Sequence, residues 1–182
     1  MKEKLVFFER QRFSQWWAIG LFAILNGLFI FGCVYQIILD NPFGNHPMSD
    51  RSLLILTGFV LLTTAFFFLI RLDTVVNTEG VYYRMFPFHF GIKFIAWDAI
   101  AEAEVRKINP LGEVGGWGLR FKFLNVGGSG VRVGLNTISY TISGNKVLKI
   151  TLINHKTIYI GTRRAEELSE FLDKIDAERK QK

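Results

Sequence analysis

Two uncharged runs near the N-terminus constrain this chain more than any other feature. Nothing between Arg12 and Asp40 carries a charge, so the run Phe13 to Leu39 is 27 residues long. A second run, Ser52 to Ile70, covers 19 residues between Arg51 and Arg71. A helix rises roughly 1.5 Å per residue and the bilayer's hydrocarbon core is about 30 Å thick, so about 20 apolar residues cross it. Trp16 and Trp17 open the first run, where interfacial aromatics belong. The pattern predicts transmembrane helices over residues 16–39 and 53–70. The first run is too long for a signal peptide, and no small-residue cleavage site ends it, so it reads as an uncleaved anchor.

The segment between the runs, DNPFGNHPMSDR, is rich in turn formers and too short to be a domain. The spans therefore form an antiparallel hairpin. That loop has one basic residue, whereas Lys2, Lys4, Arg10 and Arg12 precede the first span and Arg71 follows the second. The positive-inside rule then puts both termini in the cytoplasm and the short loop outside the cell (inner) membrane. These basic residues, with Trp16 and Trp17, are expected at the headgroups of the lipid bilayer. The same placement explains much of the net charge of +6 without nucleic acid. Polar side chains inside the spans are few. Asn26 lies near the middle of the first, and Thr63 and Thr64 near the middle of the second. In an antiparallel pair these midpoints meet, and a hydrogen bond between them spares an amide from hydrocarbon.

Residues 1–71 thus read as a basic flank plus a transmembrane hairpin, and residues 72–182 as a separate domain. These last 111 residues carry 16 Lys/Arg and 12 Asp/Glu, an ordinary soluble composition. The single cysteine, Cys33, falls in the first span and cannot form an internal disulfide.

From Leu72 the apolar period becomes two. Strands are expected over Asp73–Thr78, Val81–Phe88, Phe94–Ile108, Leu119–Phe123, Val131–Leu135, Ser139–Ser143, Leu148–Leu152 and Thr157–Gly161, with turns at Glu79-Gly80 and Asn154-His155-Lys156. After Thr162, a candidate N-cap, the residues Ala165, Leu168, Leu172 and Ile175 share one face of a helix. About seven short strands closed by a C-terminal helix suggest an antiparallel barrel.

The stretches NTEGVYYRMFPFH (77–89), IAWDAI (95–100), VRKINPLGEVGGWGLR (105–120), YTISGNKVLKITL (140–152) and IYIGTRRAEELSEFL (158–172) cover most of this domain. In them the chain resembles the bacterial pleckstrin-homology-like (PH-like) domains of small two-helix membrane proteins. The resemblance implies a membrane α-helical hairpin plus a mainly-β, PH-like antiparallel barrel capped by a C-terminal helix. It implies a membrane-anchored module without catalytic residues. PH domains that bind phosphoinositides use basic residues around the first hairpin, whereas here that turn, Asn77-Thr78-Glu79-Gly80, is acidic.

Catalytic constellations are not evident. There is no phosphate-binding GxxxxGK[ST], and Val131 stands where a GxSxG motif would need its last glycine. His46, His89 and His155 are scattered, without partners at ligand spacing. No enzyme activity and no cofactor is expected. The most distinctive segment is GEVGGWGLR, where four glycines surround Trp117. Either Trp117 plugs the barrel, or it belongs to a recognition loop with Arg106, Lys107 and Arg120. The function expected is a non-catalytic adaptor for protein partners at the cytoplasmic membrane face. The alternatives are a lipid-sensing or bilayer-organising protein and an accessory subunit of a transport or enzyme complex. A second copy of the chain is a further candidate partner. Substituting Trp117→Ala separates the readings of the loop. Lost folding, read by circular dichroism, marks a plug; lost partner or lipid association with the fold intact marks recognition.

Overall fold

The computed structural model describes residues 5–109, 118–126 and 131–180, with the backbone alone over 121–126, over 131–136 and at 180. The chain divides into two compact units, a helical one over Phe13–Ile70 and a β unit built from the two flanking segments.

In the helical unit, α1 spans Trp16–Cys33 and continues through a π-helical turn at Val34–Ile38; α2 spans Asp50–Leu69. Ser49 caps α2, its hydroxyl accepting the Ser52 N–H at 3.3 Å. Trp16–Ile38 and Asp50–Leu69 are both long and apolar enough to cross a membrane, and only 11% of each is buried within the protein. Ile24, Ile55 and Leu62 are each more than 70% exposed, so most of the apolar surface of both helices is left uncovered by the chain. Where the helices touch, small and polar side chains meet. Asn26 donates to Thr64 Oγ1 at 2.9 Å and to the Phe22 carbonyl at 2.6 Å. Thr63 instead turns its hydroxyl to the Phe59 carbonyl of its own helix. Thr57 spends its one hydrogen on the Leu53 carbonyl, so in the 3.1 Å contact between Cys33 Sγ and Thr57 Oγ1 the thiol donates. Beyond α1, the Gln36 amide holds the Met48 carbonyl and Asp50 Oδ1, both at 2.7 Å, and so closes the connecting loop.

The β unit has nine strands among the described residues. They are β1 (Val6–Arg12), β2 (Arg71–Asn77), β3 (Gly80–Phe86), β4 (Lys93–Ala96), β5 (Ile100–Lys107), β6 (Gly118–Val126), β7 (Val131–Thr141), β8 (Lys146–Leu152) and β9 (Thr157–Gly161). Helix α3 follows over Ala165–Lys180. Strands β1-β2-β3-β4 form one antiparallel sheet, and β5-β8-β9-β7-β6 the other. Tyr83 of β3 and Tyr140 of β7 meet at 5.0 Å between ring centroids, with His89 against both. Leu72, Val81 and Met85 of one sheet, Leu148, Ile150 and Ile160 of the other, and Leu168 and Ile175 of α3 are all essentially inaccessible. In the β2–β3 turn the Asn77 carboxamide accepts the N–H groups of Glu79 and Gly80. A Cβ on Gly80 would lie 2.1 Å from the Ile95 carbonyl oxygen, so only glycine fits there.

The expected barrel is corrected in several respects. The β unit is two separate sheets, not a closed antiparallel barrel. It is not wholly antiparallel, because β9 inserts between β8 and β7 and runs parallel to β7. Ile158, Ile160 and Gly161 are all buried, which suits a central strand. Residues 131–141 form one strand where two were expected. The expected strand over Phe94–Ile108 breaks at a 3₁₀ turn, Trp97–Ala99. There Trp97 is buried and its indole N–H donates to the Asn77 carbonyl at 2.8 Å. Helix α3 begins three residues after Thr162. Most consequential is the N-terminal flank: β1 belongs to the β unit, so the boundary at residue 71 is replaced by a helical pair inserted between β1 and β2.

An Asn26→Leu substitution is expected to lower the stability of the helical pair by about 1 kcal/mol. Unfolding of the full chain in bicelles measures it, and an unchanged stability removes the bond to Thr64 as a contributor.

Candidate functional site

Strand β1 alternates. Phe7, Glu9 and Gln11 point inward, while Val6, Phe8, Arg10 and Arg12 are exposed. Its inward face is therefore largely polar, and polar partners meet it. Glu9, only 6% exposed, accepts the Thr162 hydroxyl at 2.6 Å through Oε2. Through Oε1 it accepts the Arg163 backbone N–H at 2.8 Å and the Gln11 amide at 3.0 Å. Gln11 also donates to the Gly161 carbonyl at 2.7 Å. A buried carboxylate is tolerated when donors surround it, and the bonds from Thr162 and Arg163, with that of Gln11 to Gly161, fasten β1 to the segment that leads into α3. Thr162 also accepts the Arg164 N–H at 3.1 Å, so its hydroxyl braces this turn and is not a helix cap in the expected sense.

This bracing leaves a groove of about 460 Å³ between the outer edge of β1 and α3. Val6 and Phe8, both about half exposed, form one wall; Phe171, Glu167, Glu170 and Lys174 form the other. Phe7 packs on Phe171 at 6.0 Å between centroids and makes the apolar floor. Arg164 lies over the Phe7 ring, pairs with Glu167, and donates to the Phe8 carbonyl at 2.9 Å. Strand β1 is an edge of its sheet, and the bond from Arg164 shows that the Phe8 carbonyl faces outward from it. The groove thus combines a strand edge, whose Phe8 and Arg12 carbonyls accept Arg164 and Arg163, with an apolar floor and charges of both signs on the helix. That is the chemistry that receives an extended polypeptide.

On the outer face of the four-stranded sheet, Asp73 receives Arg10 at 2.6 Å, Arg84 at 2.9 Å and Arg71 at 3.7 Å. Burial alone would raise its carboxyl pKa. Hydrogen bonds from Arg84 and Arg10 and the charges of Arg10 and Arg71 outweigh burial and hold it below the ordinary value of 3.8. The register Arg10↔Asp73↔Arg84 places Arg10 in an ion pair on the sheet.

The remaining expected residues are dispersed. Arg106 and Lys107 lie on β5 and Arg120 on β6, the opposite edges of the five-stranded sheet. The sheet order does not bring them into one cluster. Trp117, Lys2 and Lys4 lie outside the described residues. Arg12 is exposed at the end of β1, and Trp16 and Trp17 are exposed at the start of α1. Among the described residues no three His, Cys, Asp or Glu side chains gather as a metal site. The residues that line the groove were not singled out from the sequence. The signal that points to them is the alternation of VFFERQR over residues 6–12, whose inward positions include Glu and Gln.

Compared with models of protein families, with curated proteins and with solved structures, the chain matches none.

The Asp73 cluster has a defined pH signature. Its carboxyl pKa is lower folded than unfolded, so its contribution is present above the unfolded value and is lost as pH falls through the folded one. Asp73→Asn is expected to cost about 1 kcal/mol at neutral pH and to flatten the acid limb of stability below about pH 4. Urea unfolding of the full chain at neutral and acid pH measures both.

Proposed function

We propose that this chain is an integral membrane protein whose β unit is a non-catalytic, PH-like interaction module at the cytoplasmic face. The groove between β1 and α3 takes up an extended segment of a protein partner. The observation that carries this reading is the groove itself, where the edge of β1 at Val6 and Phe8 runs beside α3 over the packed rings of Phe7 and Phe171. An extended peptide docking there would gain main-chain hydrogen bonds along β1 and would bury alternate side chains against the helix.

Membrane insertion is supported by the two apolar helices, whose exposed Ile, Leu and Phe side chains would cost heavily in water. A topological argument supports the crossing number. Strand β1 pairs with β2 from Val6↔Asn77 to Arg12↔Arg71, so the chain must return to the side it left. Two crossings satisfy that, and one does not. The basic residues on that side and the sparsely charged loop Asp40–Arg51 favour a cytoplasmic β unit. The PH-like reading draws on the quoted sequence stretches and on the combination of two sheets with a C-terminal helix.

A photocrosslinking residue in place of Lys174, in the full chain in its native membrane, tests the reading. A discrete protein adduct is expected, and Phe8→Asp on the opposite wall should reduce it at least about tenfold, as loss of an anchor side chain does. Recovery of lipid and self-adducts alone would overturn the adaptor reading.

A further inference from the structure

Among the described residues, the turn between β3 and β4 is unlike the other turns of the β unit. The β2–β3 turn is built on Asn77, Thr78 and Glu79, as exposed turns generally are. The β3–β4 turn reads Pro87-Phe88-His89-Phe90-Gly91-Ile92. Phe88 is 45% exposed, Phe90 85% and Ile92 62%. No other large apolar side chain described in the β unit is as exposed as Phe90; Ile153, at 63%, comes next.

The turn is built to present these side chains. His89 points the other way, its ring edge-on to Tyr83 and Tyr140 at 6.2 and 5.2 Å, and its N–H donates to the Met85 carbonyl at 2.8 Å. Burial and the charge of Lys93 push the His89 pKa down, which keeps it an uncharged anchor for the turn at neutral pH. With His89 held inward, Phe88 and Phe90 on either side face out. Phe90 stands edge-on to Phe86 at 6.4 Å, and the Arg71 guanidinium lies over Phe86 at 5.1 Å.

The register says where in the sheet this happens. Arg12, Arg71 and Phe86 are direct partners across β1, β2 and β3. They mark the sheet end at which the chain runs into α1 and out of α2, within three residues and one residue respectively. The acidic β2–β3 turn is at the other end. Thus the strongly apolar turn among those described lies at the sheet end covalently joined to both apolar helices. Exposed Arg12 and Lys93, together with Arg71, supply cations there. Aromatic tips among cations suit the headgroup boundary, with rings below the phosphates and guanidinium or ammonium groups among them.

We infer that the β3–β4 turn is a membrane-contact loop, with Phe88, Phe90 and Ile92 inserted into the interface of the bilayer that the two helices cross. It adds a non-covalent lipid contact to the two covalent ones. The inference rests on the membrane-spanning reading above, and the experiment keeps the two apart. In a Cys33→Ser background, single cysteines are introduced by Phe90→Cys, Glu79→Cys and Leu62→Cys. Each is labelled with an environment-sensitive fluorophore. The full chain is reconstituted in phosphatidylcholine–phosphatidylglycerol vesicles with and without spin-labelled lipid. Phe90 and Glu79 are both exposed, so neither substitution removes a core side chain. The label at 90 is expected to be blue-shifted and quenched at least about twofold more than at 79, as insertion of an apolar tip demands. The label at 62 should be quenched in either case. Equal, weak quenching at 90 and 79 with strong quenching at 62 overturns the loop alone. Equal, strong quenching at 90 and 79 overturns its confinement to one sheet end, and with it the inference. Absence of quenching at 62 overturns the membrane-spanning reading and the loop together.

Discussion

The pairing of β1 with β2 is the constraint on which the rest of the protein depends. Seven consecutive residue pairs join strands separated in sequence by all of residues 13–70. A hairpin normally closes through two to five residues. Here the connection is a pair of apolar helices. Were it a flexible chain, each doubling of its length would add about 0.6 kcal/mol to the closure cost. The helical pair reduces that cost by returning its own ends to one place, with Phe13 and Phe67 ring against ring at 5.7 Å. Each unit therefore asks the same thing of the chain: that residues near 12 and 71 be neighbours.

The strand held this way could not stay in place by apolar burial alone, because two of its three inward residues are Glu9 and Gln11. The cost of burying a carboxylate is met by three hydrogen bonds, two of them from residues 162 and 163. Those bonds lock the N-terminal strand to the start of α3, and they do so only in one register, since a slip by one residue would turn Glu9 to solvent. The groove follows from this geometry. Its one wall is the edge of β1, set beside the helix that the strand's inward residues have fixed.

Charge is distributed by the same logic. Arginines that look alike in sequence do different work. Arg10 and Arg84 converge on Asp73 and hold its carboxylate ionised, while Arg164 covers the Phe7 ring and the Phe8 carbonyl. A basic flank counted residue by residue cannot separate these roles, because strand register decides which cation meets which anion.

Much of the architecture was legible without coordinates. The lengths of the two uncharged runs determine that they are helices able to cross a bilayer, since that depends only on composition and on rise per residue. The Asn26–Thr64 contact was anticipated by the midpoints of an antiparallel pair, although which threonine answers was settled by helix rotation. Period-two patterning located most strands, and the apolar spacing of Leu168, Leu172 and Ile175 located α3. The membership of β1 was not legible. Its inward face is polar, so its pattern reads as a charged flank, and its partners lie in distant segments. The insertion of β9 beside β7 was equally hidden, because pairing order is set by which faces bury together in space. Residues 6–12 and 71–86 determined by themselves only that strands could form. The tertiary structure decided that β1 closes on β2 around the helical pair and that its edge faces α3. It also decided that the apolar turn at Phe90 shares its sheet end with the two helix connections. Register and long-range hydrogen bonds are properties of the folded ensemble of segments, not of any one of them.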